Sequence, residues 1–301
     1  MKLAPIVILT YSRLNHLNKT IKSLKKNSLA EQSDLYFLID GPKHGDEEKV
    51  KKIKDYAYSV KGFKKIYVIA RKPNSREDNY FNGADKVLNK YEKMIFLEDD
   101  NVVSETFLKY MNDALEYFKD NRDILAISGY NVPAKFPNNY NYAYYKSSYF
   151  NTWGYGTWLD RKTLDMEKYS GQYIEISKDR NLHKKIRKKH PKLMAGLKLI
   201  HEGKLNAGDF KLTFNLIKND KYVVKPIVSY VNNIGHDNSG VHSRKTNKYH
   251  NPTLNKDSIN FDHDIEYDSD IDLVWRRFHD KKHITLESVK YIIKRFVFKN
   301  G

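Results

Sequence analysis

The sequence predicts an α/β fold, a Rossmann-like and mostly parallel sheet flanked by helices, with a helical C-terminal extension. Two observations carry this. Short apolar runs at 4–10, 35–40, 66–70, 94–97 and 124–128 are apolar on both alternating faces, as strands covered on both sides are. Between them the apolar period changes to that of a helix. Leu14, Leu17, Ile21 and Leu24 recur at three- and four-residue steps while Lys19, Lys22, Lys25 and Lys26 face elsewhere, which predicts the first helix. Phe107, Leu108, Met111, Leu115 and Phe118 form a second stripe, with Ser104 as its N-cap. Strand–helix–strand alternation at this spacing gives an open sheet with right-handed crossovers. Ligands of such sheets bind beyond the C-terminal strand ends, so the informative residues stand where the apolar runs stop.

The second half is less regular. Residues 131–155, rich in Asn, Tyr and Pro, read as a long ordered loop, with a helix starting near Thr157 and another over 208–219. A strand is expected from Tyr222 to Val231, then a polar loop to about residue 270. The sequence has no internal repeat at solenoid or propeller periods and no Ser/Gly-rich linker, so we read one domain over 1–243 and an extension over 244–301.

Composition narrows the function. The chain has 301 residues, with 54 Lys+Arg against 37 Asp+Glu and a formal net charge of +17. That excess favours anionic partners. The absence of cysteine excludes a disulfide scaffold, thiolate chemistry and Cys-ligated zinc, so a metal would rest on carboxylates and histidines. No apolar run reaches the roughly 18 residues that cross a bilayer, and the N-terminal run reads as a first core strand rather than a cleaved signal.

The strongest chemical signal is Glu98-Asp99-Asp100, directly after the apolar run 94–97. Three adjacent carboxylates repel one another unless a cation or solvent neutralises them. Mg²⁺ or Mn²⁺ prefers such hard oxygens and completes its shell with water and substrate phosphate. The plain alternative is an acidic turn at a helix start. Asp40 closes the second strand before Gly41-Pro42, placed either to hold a base or ribose or simply to start a turn. Thr10-Tyr11-Ser12-Arg13 closes the first strand, where Arg13 reaches a base or phosphate and Ser12 caps the helix.

Taken in order, residues 5–13, 38–41 and 95–100 resemble nucleotide-sugar glycosyltransferases of the glycosyltransferase-A fold. More narrowly, they resemble bacterial family-2-like sugar transferases and the animal N-acetylglucosaminyltransferase I group, which shares the Glu-Asp-Asp signature. Trp153-Gly-Tyr-Gly-Thr-Trp158, Gly208-Asp-Phe-Lys211 and the loop 233–242 extend the resemblance to about residues 4–243. It implies that Asp100 binds Mn²⁺ or Mg²⁺ bridging a donor diphosphate, with Asp99 beside it and Glu98 nearer the ribose or base. It also implies that Thr10, Tyr11, Arg13 and Asp40 grip the nucleotide and that Asp209 is the base of an inverting transfer. In the animal group a Trp precedes consecutive acids, whereas here Ala207-Gly208 precede a single Asp; an N-cap carboxylate is the plain alternative for Asp209. His242 takes the place of a metal or phosphate ligand, and His236 a weaker substrate contact.

Trp153, Gly154, Tyr155 and Trp158 suit an aromatic wall against the C–H-rich face of a sugar, with core packing as the alternative. Arg71, Arg76 and Lys86 are candidates for the diphosphate. The basic run 183–190 reads as a solvated helix face. At 281–299, Leu286, Val289, Ile292, Ile293 and Phe296 recur at helical spacing among lysines, the pattern of an interfacial helix drawn to anionic lipid or of one packed on the domain.

The sequence thus leads to a metal-dependent, inverting hexosyl- or N-acetylhexosaminyltransferase. Its donor is a nucleotide sugar, UDP-linked by analogy, and its acceptor a glycan or lipid-linked hydroxyl in surface polysaccharide or glycoconjugate synthesis. The expected location is the cytoplasm, peripheral on the inner face of the cell membrane. A nucleotidyltransferase acting on sugar phosphates is the alternative, although 10–15 lacks the Gly-rich loop that such enzymes carry. A nucleic-acid-binding protein fits the charge, but no motif organises the aromatics and the acid triplet repels phosphates, so nucleic acid is not expected as a partner.

Overall fold

A computed structural model describes residues 2–240, 245–261, 263 and 265–280. The chain first lays down β1 (Ile6–Thr10), α1 (Leu14–Leu24), β2 (Asp34–Ile39), α2 (Glu47–Ser59), β3 (Lys65–Ala70), α3 (Arg76–Tyr91) and β4 (Lys93–Glu98). β1 pairs in parallel with both β2 and β4, and β2 with β3. The winding steps outward from β1 to β3 and then returns to the other side of β1 with β4. This reversal opens a crevice at the carboxyl ends of β1 and β4, where Thr10 and Glu98 stand.

The remainder adds β5 (Asn101–Val103), α4 (Phe107–Tyr117), β6 (Ile124–Ser128), β7 (Tyr144–Ser147), β8 (Tyr155–Trp158), α5 (Thr163–Lys168), α6 (Gln172–Lys178), α7 (Arg180–Lys189), α8 (Leu193–His201), α9 (Gly208–Lys218), β9 (Tyr222–Pro226), β10 (Val231–Asn233) and α10 (Ser269–Asp280). The large sheet has eight strands in the order β3-β2-β1-β4-β8-β6-β9-β7, and β5 forms a separate ribbon with β10. The β3-to-β4 half is parallel as expected. β8 runs antiparallel to β4 and β6, and β7 antiparallel to β9, so the sheet as a whole is mixed.

Four local expectations are corrected. The expected loop over 131–155 contains β7 and the start of β8, and Thr157 lies in β8 rather than at a helix start; the next α-helix begins at Thr163. Aromatic and β-branched side chains in Tyr155-Gly-Thr-Trp158 suit a strand inserted between two others. Gly156 leaves room for Met111 and Leu115, whose methyls would stand 3.0 and 3.1 Å from an added Cβ. The expected strand 222–231 is two strands in different sheets. Helix α4 starts at Phe107 after Thr106, with no side-chain cap, so Ser104 is not its cap.

Alternate residues of β1 enter opposite cores, Ile6 and Ile8 with α1, α2 and α4, Val7 and Leu9 with α3 and α9. This is the two-sided burial that the unalternating apolar run signalled. A third cluster joins α6, α7, α8 and α9 through Ile176, Leu182, Ile186, Leu193 and Phe214. On α7, Leu182 and Ile186 face inward while Lys184, Arg187 and Lys188 are exposed, a solvated basic face as read from the sequence. Ile259, Phe261, Ile271 and Trp275 pack into the first core. Among the described residues no helix is long and apolar enough to cross a membrane. The amphipathic stretch 281–299 lies outside the described residues.

Candidate active site

The acid triplet terminates β4, and its three carboxyls take different surroundings. Asp99 and Asp100 are buried. Arg13, at the start of α1, turns its guanidinium onto both, donating from Nη2 to Asp99 Oδ1 and, at 2.7 Å, to Asp100 Oδ2. Thr10 donates to Asp99 Oδ2 at 3.1 Å, and Thr20 to the Asp99 carbonyl at 2.8 Å. Burial raises the Asp99 pKa against the pull of Arg13. Burial works against the Arg13 charge, yet the two carboxylates prevail and hold its proton more tightly. Arg13, expected at a base or phosphate, instead pairs with the acids, because buried carboxylates need a counter-charge.

Asp100 is held by neighbours that the sequence reading missed. Asn101 and Asn233 donate to its Oδ1 at 2.9 and 3.3 Å, and the Ile234 amide to its carbonyl at 2.9 Å. The β5–β10 ribbon, pairing Asn101 with Asn233, sets this arrangement. Gly235 follows directly, and an added Cβ there would lie 2.0 Å from Asp100 Oδ2, so only glycine lets this carboxylate pack against the backbone. Their sequence trace is slight, a single Asn101 after the triplet and the pair Asn232-Asn233.

His236 packs against Trp153 and Tyr249, ring centroids 5.3 and 4.7 Å away. Its Nε2 is buried without a hydrogen-bond partner. Burial lowers its pKa, opposed by Asp100 and Asp237, which favours the neutral ring. His242 lies outside the described residues. Trp153 is half-buried on the same side and meets Tyr130 edge-on at 4.8 Å. Gly154 adopts φ +72°, a left-handed conformation that disfavours any side chain.

Four expected contacts are redirected. Tyr155 is fully buried, its hydroxyl 2.6 Å from that of Tyr80, and so lies beneath the crevice. Trp158 pairs with Lys93 at the opposite end of β4 and donates from Nε1 to the Leu115 carbonyl. It is core, because β8 runs antiparallel to β4 and carries Trp158 away from the site. Asp40 is buried and accepts from the Gly41 and Ser75 amides at 2.9 Å and from Asn74 at 3.1 Å. It braces the loops after β2 and β3 rather than presenting a free carboxylate. Tyr11 likewise donates to Asp46 at 2.9 Å and accepts from the Lys43 amide.

The second carboxyl centre lies at the start of α9. Asp209 is half-buried, accepts from the Phe210 amide at 3.0 Å, and has its pKa pushed up to about 6 by burial, against the backbone donors and Arg76. Arg76, at the start of α3, donates to Glu98 at 2.8 Å. Burial raises Glu98 to about 7 despite Arg76, with Asp100 and Asp99 adding to the rise. Arg76 acts electrostatically on Glu98 and Asp209 alike, linking the strand-end acids to the α9 acid. Arg71 lies 3.6 Å from Asp78, away from the triplet, and Lys86 is exposed on α3. Among the described residues no three His, Asp or Glu side chains converge as a complete metal shell.

No known protein family matches the chain, and no curated protein does. Among solved structures it is similar to residues 1–349 of S. aureus TarS in complex with UDP-GlcNAc, at 12% identity and TM-score 0.38, covering 77% of this chain and 58% of that one. It is similar to the mannosyltransferase PcManGT from Pyrobaculum calidifontis in complex with GDP-Man and Mn²⁺, at 11% identity and TM-score 0.37, covering 54% and 45%. It is also similar to a cytidylyltransferase from Leptospira borgpetersenii, at 12% identity and TM-score 0.31, covering 56% and 63%. The chain spans less than two thirds of each.

Proposed function

We propose that the protein is a metal-dependent, inverting glycosyltransferase that moves a sugar from a nucleotide-sugar donor, UDP-linked, to a hydroxyl of a glycan or lipid-linked acceptor. One observation carries the reading. Two buried aspartates with an arginine across them stand at the reversal of the parallel sheet, and Arg76 and Glu98 connect them to a half-buried aspartate whose proton affinity is raised. The first centre suits a diphosphate and the second a general base.

The residues fit a divalent ion. Asp100 Oδ2 accepts from Arg13 and keeps a second lone pair as a hard donor, and the unpartnered Nε2 of the neutral His236 ring is a competent ligand. Two protein donors leave the rest of a Mn²⁺ or Mg²⁺ shell to diphosphate and water. Such an ion supplies positive charge opposite the departing nucleoside diphosphate. Arg13 adds a fixed positive charge at the same point. Trp153 offers an apolar edge to the sugar.

Asp209, ionised at neutral pH, takes the proton of the acceptor hydroxyl. The acceptor oxygen forms its bond to the anomeric carbon from the face opposite the diphosphate, and the electron pair of the breaking bond leaves with the nucleotide. A groove of about 300 Å³ beside α9, bordered by Glu77, Ser170, Lys204, Asn206 and Lys211, offers the mixed polar lining that an acceptor glycan needs. A hydrolysis screen over UDP-, GDP- and dTDP-sugars, with and without Mn²⁺, on wild type and Asp100→Ala tests the reading. Hydrolysis indifferent to both the ion and the substitution removes it.

A further inference from the structure

Asp209 does not stand alone. Glu167, near the end of α5, is 4% exposed, and its carboxyl turns toward the first turn of α9. Its Oε1 accepts a hydrogen bond of 3.0 Å from Tyr80, whose hydroxyl is 2.6 Å from that of Tyr155. Its Oε2 faces Gly208, where an added Cβ would come within 2.8 Å. Lys211 on α9 donates back to the Glu167 carbonyl at 2.8 Å. The helix start that bears Asp209 is therefore clamped to α5 from both sides, by a carboxyl against Gly208 and by an ammonium on the carbonyl.

We propose that Glu167 is the positioning residue for Asp209, its buried carboxyl wedged between the Tyr80–Tyr155 hydroxyl pair and Gly208 so that it fixes the first turn of α9 and keeps water from the base. This rests on the reading of Asp209 as general base. The charges around the wedge support it. Arg76 and Tyr80 face it from α3, Tyr155 from β8, and Asp209 and Lys211 from α9, with Glu77 beyond Lys211. Burial pushes Glu167 up to about 8, opposed by Tyr80, Arg76 and Lys211 and reinforced by Asp209. Two neighbouring carboxyls held this far apart share one proton across neutral pH, and it resides on Glu167. The wedge is uncharged while Asp209 is ionised, which leaves the base without a second negative charge beside it.

The test is a ¹³C carboxyl NMR titration of the full chain, read beside the pH profile of kcat. In wild type Glu167 is protonated at pH 7 and titrates near 8, and Asp209→Asn lowers that midpoint. Glu167→Gln keeps the Asp209 midpoint near 6, whereas Glu167→Ala admits water and moves it toward the ordinary Asp range. The ascending limb of kcat moves with it, and kcat of the Gln variant exceeds that of the Ala variant at least tenfold. If Glu167→Ala does not fold, Gly208→Ala displaces the wedge with every titrating group retained, and moves the Asp209 midpoint in the same direction. A Glu167 ionised at pH 7, or an Asp209 midpoint indifferent to the Ala variants, overturns the proposal. The titration needs no turnover. Shifted midpoints together with undiminished transfer by Asp209→Asn would sustain the wedge while removing the base assignment.

Discussion

Replacing Arg13 by alanine isolates the charge balance at the centre of the site. Arg13 is the ion-pair partner of Asp99 and Asp100, whose side chains are 5% and 8% exposed against 21% for Arg13. Removing one partner of a buried pair costs roughly 3–5 kcal/mol because it strands the remaining charge. Water reaches one side of the guanidinium, so the loss for Arg13→Ala is about 2–3 kcal/mol. At about 2–4 °C per kcal/mol, its Tm falls by roughly 4–12 °C at pH 7. The pH dependence has a definite sign. Arg13 holds down the proton affinity of buried Asp99, so without it Asp99 gains affinity, and the deficit is greatest when Asp99 is ionised and shrinks as the pH falls and it takes up a proton. Millimolar Mn²⁺ should restore much of the loss, since a ligand at a hundred times its Kd contributes about 2.7 kcal/mol. Differential scanning fluorimetry between pH 4 and 8, with and without Mn²⁺, reads all three effects. An unchanged Tm, or a deficit that is the same at every pH, would refute the claim that Arg13 neutralises this pair.

The remaining predictions address the base, the metal space and the wedge. Asp209→Asn lowers kcat by about 10²–10⁴ with donor KM nearly unchanged; steady-state kinetics show the split. Because Asp209 works ionised and its pKa is raised to about 6, activity rises with pH through 6 in a pH–rate profile. Gly235→Ala drives a Cβ toward Asp100 Oδ2 and weakens Mn²⁺ and nucleotide binding at least tenfold, measured by titration calorimetry. Glu167 ionises near 4.5 when unfolded and near 8 in the fold, so the native state binds the extra proton and loses stability as pH rises across that window. Glu167→Gln therefore raises Tm relative to wild type at pH 9 and much less at pH 5.

The half of the fold that positions the acid triplet is legible because two-sided burial leaves a direct mark. β1, β2 and β4 are apolar without a break over 6–9, 35–39 and 94–97, and their polar residues stand only where such a run starts or ends. That logic points to Thr10, Arg13, Glu98, Asp99 and Asp100, which the fold gathers at the ends of β1 and β4. It did not reveal which acid Arg13 would neutralise, since the pairing joins residues far apart in sequence. β8 is hard to read because it is four residues long and opens with a tyrosine between two glycines, which looks like a loop until β4 and β6 close on either side. Trp158 and Tyr155 were drawn to a sugar face for the same reason, as a strand's direction decides which aromatics reach the site. Glu167 left only a faint trace, an acid on an otherwise ordinary short helix, and its role is visible only where Gly208 admits its carboxyl. Asp40 shows the opposite failure: an Asp before Gly-Pro signals both a ligand and a turn, and hydrogen bonds from Gly41, Asn74 and Ser75 resolve it as a brace.

The most direct test is calorimetric titration of UDP and GDP into wild type and Asp100→Asn, each with Mn²⁺ and with a chelator. The account predicts binding of one nucleotide in wild type that requires the ion and is lost in the variant. Nucleotide binding of equal strength in all four conditions, or none in any, would contradict it.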